Sequence, residues 1–295
     1  MMQKKMFLLA ISILLYLNCS PQEIINRGKV LEGLTMASDI LDKKVNYSIY
    51  LPPGYTYSDR RYPVVYLLHG YTDDETAWVQ FGEVNYAADK AINNGEIPPM
   101  IIVMPDAGVT FYINDHENEV RYEDMFFEEL IPYIDQTYRT RPKKEFRGVA
   151  GLSMGGYGSL VYILRHPDVF AACAALSSAV HTGEELLTMD DGRYRRMYAH
   201  LYGERIDKKL GENWEKYSVL SNVENFPGNQ YNDIKIYIDC GDDDFLYKGN
   251  SNLHVLMKDL GFPHEYRVRD GGHEWEYWRT GITDGLKFIG ESFRS

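Results

Sequence analysis

The stretch that decides the fold is residues 148–158, Gly-Val-Ala-Gly-Leu-Ser-Met-Gly-Gly-Tyr-Gly. Within it, residues 151–155 form a G-x-S-x-G motif, whose glycines allow a sharp turn from a strand into a helix around a strained serine. The flanks fit this turn, because residues 146–150 resemble a short buried strand and residues 156–166 have helical periodicity that ends at a proline. The motif therefore predicts that Ser153 is a nucleophile presented at the end of a strand.

Segments typical of strands and of helices alternate on both sides of this turn. Continuous apolar runs, as buried parallel strands require, occur at 63–68 and 100–104, and two further strands are predicted at 170–177 and 234–239. Shorter strands are predicted at 45–50 and 265–268, and helical periodicity is found at 84–93, 125–138, 250–260 and 274–293. This order predicts an α/β fold with a mostly parallel central sheet and helices on both faces.

The chain has 295 residues, of which 44% are hydrophobic, and it contains no internal repeat or low-complexity linker. We therefore expect one α/β domain over residues 21–295. Within it, the pattern loosens near residues 181–230, where charged and aromatic residues are mixed. This stretch is interpreted as a cap or insertion over the carboxyl ends of the strands, where sites lie in such folds, with simple scaffold packing as the open alternative.

Residues 1–20 have the pattern of a secretory signal. Lys4 and Lys5 precede an apolar run at 6–17 that is too short to span a bilayer. Export is therefore predicted, and Cys19, just after the apolar run, loosely resembles a bacterial lipoprotein acylation site. A periplasmic protein, a lipoprotein anchored to the membrane through Cys19, and a secreted protein all stay open.

The charge and cysteine content exclude several classes of function. The net charge is −12 and the 31 lysines and arginines are scattered, so no nucleic-acid partner is expected. Cys173 and Cys240 lie in apolar, strand-like stretches and are interpreted as buried free thiols, with a single disulfide as the alternative. The chain has no Cys-x-x-Cys motif and no His/Cys cluster with metal-ligand spacing, so we predict no metal site and no cofactor.

A serine nucleophile of this kind needs a base, and His273 is the best placed of the eight histidines. It follows two glycines after the last predicted strand, and a loop there can bring the imidazole back over the sheet edge. His254 lies in a predicted helix, His264 at the entry to a strand and His166 before a proline, where structural roles are expected. His69 lies upstream of the serine and is also assigned a structural role.

The acid that orients this base is expected after the strand at 234–239, where three consecutive aspartates follow. Asp244, followed by anchoring apolar residues, is the preferred candidate and Asp242 the runner-up, because the orienting carboxylate must lie beyond the strand end. Asp270 is close to the histidine in sequence and is interpreted as a loop residue. A calcium loop is excluded by spacing, because alternating ligands and a distal glutamate are absent.

Two backbone N–H groups are predicted to stabilise a developing oxyanion. One belongs to Met154, directly after the nucleophile and at the positive end of its helix. The other is assigned to Tyr71, in the loop after the buried strand that ends in Leu-Leu-His-Gly. Loss of one such donor typically costs about 2.7–4 kcal/mol of transition-state stabilisation.

Four ordered motifs carry a family resemblance. They are Leu-Leu-His-Gly at 67–70 with Trp78 downstream, Gly-Leu-Ser-Met-Gly-Gly at 151–156, Cys-Gly-Asp-Asp-Asp-Phe-Leu at 240–246 and Gly-His-Glu-Trp at 272–275. Together they resemble the esterase D-like branch of the α/β-hydrolases, which includes feruloyl and acetyl-xylan esterases, S-formylglutathione hydrolases and mycolyltransferases. The resemblance covers roughly residues 45–293 and implies the α/β-hydrolase fold.

The resemblance implies the same site that placement along the chain indicates. Ser153 is the nucleophile, His273 the base and Asp244 the orienting acid, with the Tyr71 and Met154 amides as the oxyanion hole. The run of three aspartates departs from the usual pattern of relatives, which keeps Asp242 open as the acid.

The expected function is an exported serine carboxylesterase that acts on a small-molecule or polysaccharide ester. Twenty-four tyrosines and four tryptophans suit a surface that stacks on sugars or aromatic acids, which favours feruloyl or acetyl esters of plant-wall polysaccharide. Trp78, Tyr247 and Trp275 are the candidate substrate-binding residues. The alternatives are an S-formylglutathione hydrolase-like thioesterase, an acyltransferase to a sugar hydroxyl and, remotely, a non-catalytic carbohydrate-binding module. The sequence does not indicate an oligomeric state.

Overall fold

The structure, a computed structural model, describes residues 26–294 of the chain. The predicted signal segment at 1–20 and the predicted lipidation site at Cys19 lie outside these residues. Among the described residues, no helix combines the length and the apolar character that a membrane span requires.

The described strands form one eight-stranded sheet with the order β1-β2-β4-β3-β5-β6-β7-β8. The strands are β1 Lys29–Ser38, β2 Lys43–Leu51, β3 Val64–Leu68, β4 Ile101–Pro105, β5 Arg147–Leu152, β6 Ala172–Leu176, β7 Lys235–Gly241 and β8 Glu265–Arg269. Strands β3 to β8 pair in parallel, while β1 pairs antiparallel with β2 and β2 antiparallel with β4. The predicted mostly parallel sheet is confirmed.

Helices cover both faces of this sheet. The α-helices are α1 Ala77–Gln80, α2 Val84–Asn93, α3 Tyr122–Met125, α4 Ile131–Thr137, α5 Met154–Arg165, α6 Gly183–Thr188, α7 Asp191–Tyr194, α8 His200–Tyr202, α9 Glu212–Tyr217, α10 Val219–Glu224, α11 Tyr247–Asp259 and α12 Trp275–Ser292. Two π-helical segments, Phe126–Leu130 and Arg195–Ala199, connect α3 to α4 and α7 to α8.

Two apolar cores lie on opposite faces of the sheet. Tyr66 and Val149 belong to the core that also contains residues of α5 and α11, whereas their neighbours Val65 and Ala150 belong to the core under α2 and α12. Successive strand residues point to opposite faces, so a strand that is buried on both faces must be apolar throughout. This explains the continuous apolar runs in the sequence. Cys173 and Cys240 are buried free thiols, as predicted.

The register of the parallel strands brings four loops to one edge of the sheet. Leu68 pairs with Gly151, Leu176 pairs with Leu152 and Asp239, and Gly241 pairs with Arg269, so β3, β5, β6, β7 and β8 end near the same edge. The loops that follow β3, β5, β7 and β8 carry the residues singled out in the sequence.

Strand β1 was not predicted from the sequence. It is an edge strand whose pairing with β2 shifts register between Leu31 and Leu34, around Gly33 in a left-handed conformation (φ 68°). Such a bulge interrupts the alternation of apolar and polar residues by which strands are recognised.

Candidate active site

The turn around Ser153 has the strained geometry that the motif predicts. Ser153 lies between β5 and α5 with φ 53° and ψ −114°, outside the conformations that a residue with a side chain ordinarily adopts. Its N–H donates to the carbonyl oxygen of Leu176 over 2.9 Å, and Tyr157 N–H donates to its carbonyl oxygen over 3.0 Å. These bonds hold the serine at the carboxyl end of β5.

The two glycines of the motif are needed because backbones approach closely there. A Cβ at Gly151 would lie 2.4 Å from the carbonyl oxygen of Gly155, and a Cβ at Gly155 would lie 2.3 Å from the carbonyl oxygen of Leu68. Both contacts are with backbone, which cannot move aside as a flexible side chain can. The strain itself is therefore at Ser153, and the glycines make room for it.

Ser153, His273 and Asp244 form one hydrogen-bonded line. The distance from Ser153 Oγ to His273 Nε2 is 2.9 Å. On the other side of the ring, His273 Nδ1 lies 2.9 Å from Asp244 Oδ2 and 3.1 Å from Oδ1. Only 9% of Ser153 is exposed, and Asp244 is fully buried. This arrangement can transfer a proton from the serine to the imidazole while the carboxylate orients the ring.

Asp244 is held in its ionised form. Burial alone raises the pKa of this carboxyl, but the hydrogen bonds from His273, Leu246 N–H and the Ser177 hydroxyl, together with the charge of His273, outweigh burial and leave its pKa below the ordinary value. An ionised carboxylate at this position stabilises a protonated imidazole.

Asp242, the alternative acid, contacts backbone instead of the imidazole. Its Oδ1 accepts a hydrogen bond from Gly271 N–H over 3.1 Å, while Asp243 N–H donates to the carbonyl oxygen of Gly271 over 3.2 Å. Gly271 has φ 135°, a conformation that favours glycine. These bonds join the loop after β7 to the loop that carries His273.

The same loops bring together three exposed carboxylates. Oxygen atoms of Asp242, Asp243 and Asp270 lie within 4.8 Å of one another, which makes them the candidate cation ligands among residues 26–294. Linear spacing could not reveal this group, because Asp270 comes from a different loop. Exposed acidic groups of this kind are common in proteins without a bound ion.

The residues of the two predicted amide donors line the same cavity as the serine. Tyr71 and Met154 both line the cavity beside Ser153, and among the described residues neither N–H has a hydrogen-bond acceptor. Met154 is the first residue of α5, so its N–H is one of the unpaired groups at the positive end of a helix. Both amides are thus available to a ligand oxygen.

His69 holds the loop that carries Tyr71. Ala107 N–H donates to His69 Nε2 over 2.9 Å, so the ring proton is on Nδ1, which donates to the carbonyl oxygen of Gly70 over 2.8 Å. His69 is almost completely buried. It therefore connects the loop after β3 to the loop after β4.

The cavity around Ser153 has a volume of about 330 Å³. Its walls are mainly apolar and aromatic, with one carboxylate, one guanidinium group and two imidazoles. The lining residues are Gly70, Tyr71, Asp73, Phe111, Leu152, Ser153, Met154, Ala179, His181, Arg193, Met197, Tyr198, Phe245, Leu246, His273, Trp275 and Trp278.

Of the three predicted substrate-binding residues, only Trp275 lines this cavity. The predicted substrate-binding role of Trp78 is wrong, because this residue is only 1% exposed. Its indole N–H donates to the carbonyl oxygen of Leu68 over 2.9 Å. It packs edge-on against Trp275, with 5.4 Å between ring centroids, and so supports the cavity wall from behind. Tyr247 is 56% exposed at the start of α11 and does not line the cavity, so its assignment stays a prediction.

The insertion supplies cavity residues that sequence reasoning did not single out. His181, Arg193, Met197 and Tyr198 come from the stretch that contains α6, α7 and the π-helical segment after it. His181 Nε2 lies 2.8 Å from the Tyr198 hydroxyl, and burial lowers the pKa of His181 to about 4, so this ring is neutral at pH 7. The high aromatic content of the stretch was the available signal, but it does not distinguish cavity walls from core.

Comparison with known proteins places the chain among esterases. A family model described as "Esterase: Putative esterase" matches residues 38–289. An acetyl esterase of Caldicellulosiruptor saccharolyticus is 26% identical over 231 residues, which cover 76% of this chain and 82% of that protein.

Two further similarities involve proteins described as feruloyl esterases. An endo-1,4-beta-xylanase/feruloyl esterase of Xylanibacter ruminicola is 35% identical over 173 residues, which are 55% of this chain but only 23% of that protein. The solved structure of a ferulic acid esterase is 34% identical and superposes with a TM-score of 0.78, covering 90% of this chain and 99% of the other. The similarity to the solved structure therefore extends over a whole domain.

Proposed function

This chain belongs to the Esterase family, and we propose that it is an exported serine carboxylesterase that hydrolyses feruloyl or acetyl esters of plant-wall polysaccharide. One observation carries the proposal: the hydrogen-bonded line from Ser153 through His273 to Asp244 lies beside two unpaired amides in one cavity. An ester carbonyl at this position would meet a nucleophile, a base and two oxyanion donors at once.

The proposed reaction has two steps. His273 Nε2 accepts the proton of Ser153 as Oγ attacks the ester carbon, and the N–H groups of Tyr71 and Met154 stabilise the oxyanion. The carbon–oxygen bond to the alcohol then breaks, and the alcohol leaves with the proton from His273. In the second step a water molecule gives its proton to His273 and attacks the acyl-enzyme, which releases the acid and restores Ser153.

The cavity walls favour an aromatic acyl group. Aromatic rings stand in a row, with centroids 6.0 Å apart between Tyr71 and Phe111 and 5.5 Å apart between Phe111 and Tyr198. Such walls suit the flat ring of a hydroxycinnamoyl group better than an acetyl group. The similarity to a ferulic acid esterase supports this choice, and the acetyl esterase relative keeps acetyl esters as the second substrate class.

Two further features belong to the proposal. The first is that the stretch near 181–230 forms a cap that closes one side of the cavity. This is supported by His181, Arg193 and Tyr198, which belong to the stretch and line the cavity.

The second is export, which the pattern of residues 1–20 supports, with or without a lipid on Cys19. Fractionation of expressing cells and mass analysis of the mature amino terminus would test export and lipidation together.

A substrate screen tests the proposed function. The purified mature protein should hydrolyse p-nitrophenyl acetate, methyl ferulate and acetylated xylan, with the highest kcat/KM for the feruloyl ester. Ser153→Ala should lose activity on each by a factor on the order of 10⁵ or more. Full activity of Ser153→Ala would overturn the serine mechanism, and turnover confined to acetyl esters would overturn the aromatic preference.

A further inference from the structure

We propose that Ser177 and Trp278 are positioning residues that hold Asp244 and His273 in line, so that the site extends one layer deeper than its three reacting side chains. This inference rests on the proposed function, because it concerns how the same acid and base are oriented. Neither residue contacts the ester carbon in the proposed reaction.

Trp278 contacts both Ser177 and the base His273. Its indole N–H donates to Ser177 Oγ over 2.9 Å. The same indole packs edge-on against the His273 ring, with 4.8 Å between centroids and 88° between planes. Because Trp278 is fixed in helix α12 and only 5% exposed, it limits how far the imidazole can tilt.

Ser177 directs its only proton toward the acid. A serine hydroxyl has one donor, and here its oxygen already accepts the indole N–H, which leaves the hydroxyl proton for another partner. Asp244 is that partner, since the Ser177 hydroxyl is among the hydrogen-bond donors that lower the pKa of this carboxyl. The bond runs from the hydroxyl to the carboxylate, because an ionised carboxylate has no proton to donate.

The backbone at Ser177 is held as firmly as its side chain. Ser177 is fully buried, has φ 45° and donates its N–H to the carbonyl oxygen of Asp239 over 2.6 Å. A non-glycine residue in this left-handed region is strained, and such strain is concentrated at functional sites.

The remaining contacts of Asp244 complete its orientation. Leu246 N–H donates to Asp244 Oδ1 over 2.8 Å, and both oxygens face His273 Nδ1. Burial and the nearby charges of Asp244 and Asp239 raise the pKa of the Cys240 thiol, so this neighbour of the carboxylate is neutral at pH 7. With donors from three directions the carboxylate cannot rotate away from the imidazole.

The experiment compares Ser177→Ala with Ser178→Ala. Ser178 is the adjacent serine and is equally buried, but its hydroxyl has no hydrogen-bond partner in the described part of the chain. The readouts are kcat and KM for p-nitrophenyl acetate from pH 4 to 9, thermal unfolding, and the NMR signal of the His273 Nδ1 proton. Trp278→Phe, which keeps a ring but removes the N–H, is measured in the same way and in combination with Ser177→Ala.

For Ser177→Ala we expect about a tenfold lower kcat with little change in KM. Without the Ser177 donor, Asp244 accepts more strongly from a protonated imidazole, so the acidic limb of kcat/KM should move to higher pH by about 0.5 unit. The His273 Nδ1 signal should shift, and the effects of the two changes should be less than additive because they break the same chain of bonds. Ser178→Ala should leave the acidic limb and the NMR signal unchanged.

The inference is overturned if Ser177→Ala and Ser178→Ala have the same acidic limb of kcat/KM and the same His273 Nδ1 signal. It is also overturned if the lower kcat is accounted for by a smaller folded fraction. If Ser177→Ala does not fold, the same two readouts are compared between Trp278→Phe and wild type, and no change in either overturns the inference. Full activity of Ser153→Ala would instead overturn the proposed function, so the two failures are distinguishable.

Discussion

At the scale of single residues, the site depends on where polar atoms are held. His273 bonds to Ser153 through Nε2 and to Asp244 through Nδ1. Nε2 can therefore accept the serine proton, while Nδ1 holds the ring in place. These three residues could be predicted because chain order and loop glycines restrict the candidates to few. The role of Trp78 was predicted wrongly, because a motif records that a tryptophan is present but not that its N–H is used inside the core.

The assignment of the acid predicts a contrast between two neighbouring aspartates. Asp244→Asn should lower kcat by a factor of about 10⁴ at pH 7, because the amide cannot stabilise a protonated imidazole. Asp242→Asn should cost less than about tenfold, because an asparagine oxygen can still accept the hydrogen bond from Gly271 N–H. Initial rates with p-nitrophenyl acetate and thermal melts of both variants check this. A larger loss for Asp242→Asn would show that the acid is misassigned.

The elbow predicts a steric contrast between two glycines. Gly155→Ala should destabilise the protein by about 1–3 kcal/mol and lower kcat at least about tenfold, because its Cβ would lie 2.3 Å from the carbonyl oxygen of Leu68. Gly183→Ala is the matched control, since the nearest atom to its Cβ is 3.8 Å away and alanine favours the helix that begins there. Urea unfolding and kcat measure both effects. Equal behaviour of the two variants would contradict the close-approach explanation.

At the scale of elements, a buried carboxylate ties three helices together. Glu123 in α3 accepts from Arg165 Nε over 2.9 Å and from the Tyr217 hydroxyl over 2.5 Å, and it lies 2.9 Å from His166 Nε2. Arg165 and His166 lie at the end of α5, whereas Tyr217 ends α9 in the insertion. The nucleophile helix and the insertion are therefore joined through one side chain.

This network predicts a pH-dependent stability. Burial raises the pKa of Glu123, but its hydrogen bonds to His166, Arg165 and Tyr217 and the Arg165 charge lower it from 4.5 to about 2. A lowered pKa in the folded state gives stability that is complete above pH 4.5 and is lost as the pH falls toward 2. Glu123→Gln should therefore cost about 3 kcal/mol at pH 7 and much less near pH 2.

Denaturant unfolding of wild type and Glu123→Gln at a series of pH values measures this. Glu128→Gln, at an exposed position of the adjoining π-helical segment, should change the free energy of unfolding by less than about 0.5 kcal/mol. A destabilisation by Glu123→Gln that stays constant down to pH 2 would contradict the assignment of this stability to an ionised carboxylate.

The strand that sequence reasoning missed has a local physical cause, because the bulge around Gly33 hides β1. The helix predicted at 125–138 is present, but the π-helical segment Phe126–Leu130 interrupts its α-helical geometry. Strands β3 to β7, by contrast, were recognisable because burial on both faces makes most of their residues apolar.

At the scale of the whole molecule, one sheet edge assembles residues that are far apart in the chain. The parallel register of β3 to β8 brings the loops of Tyr71, Ser153, Asp244 and His273 to the same side. The topology was predictable from the alternation of segments. The cavity walls were not, because the insertion contributes to the core through Tyr217 while also lining the cavity, and composition alone does not separate these uses.

The central claim, an acyl-enzyme on Ser153, is tested most directly by acid quenching during turnover of methyl ferulate, followed by mass analysis of the peptide that contains Ser153. Wild-type protein should carry one feruloyl group on Ser153, which appears before steady state and decays as substrate is exhausted, while Ser153→Ala should neither turn over nor become labelled. Continued turnover with Ser153 unmodified, or a feruloyl group on a different residue, would contradict the account.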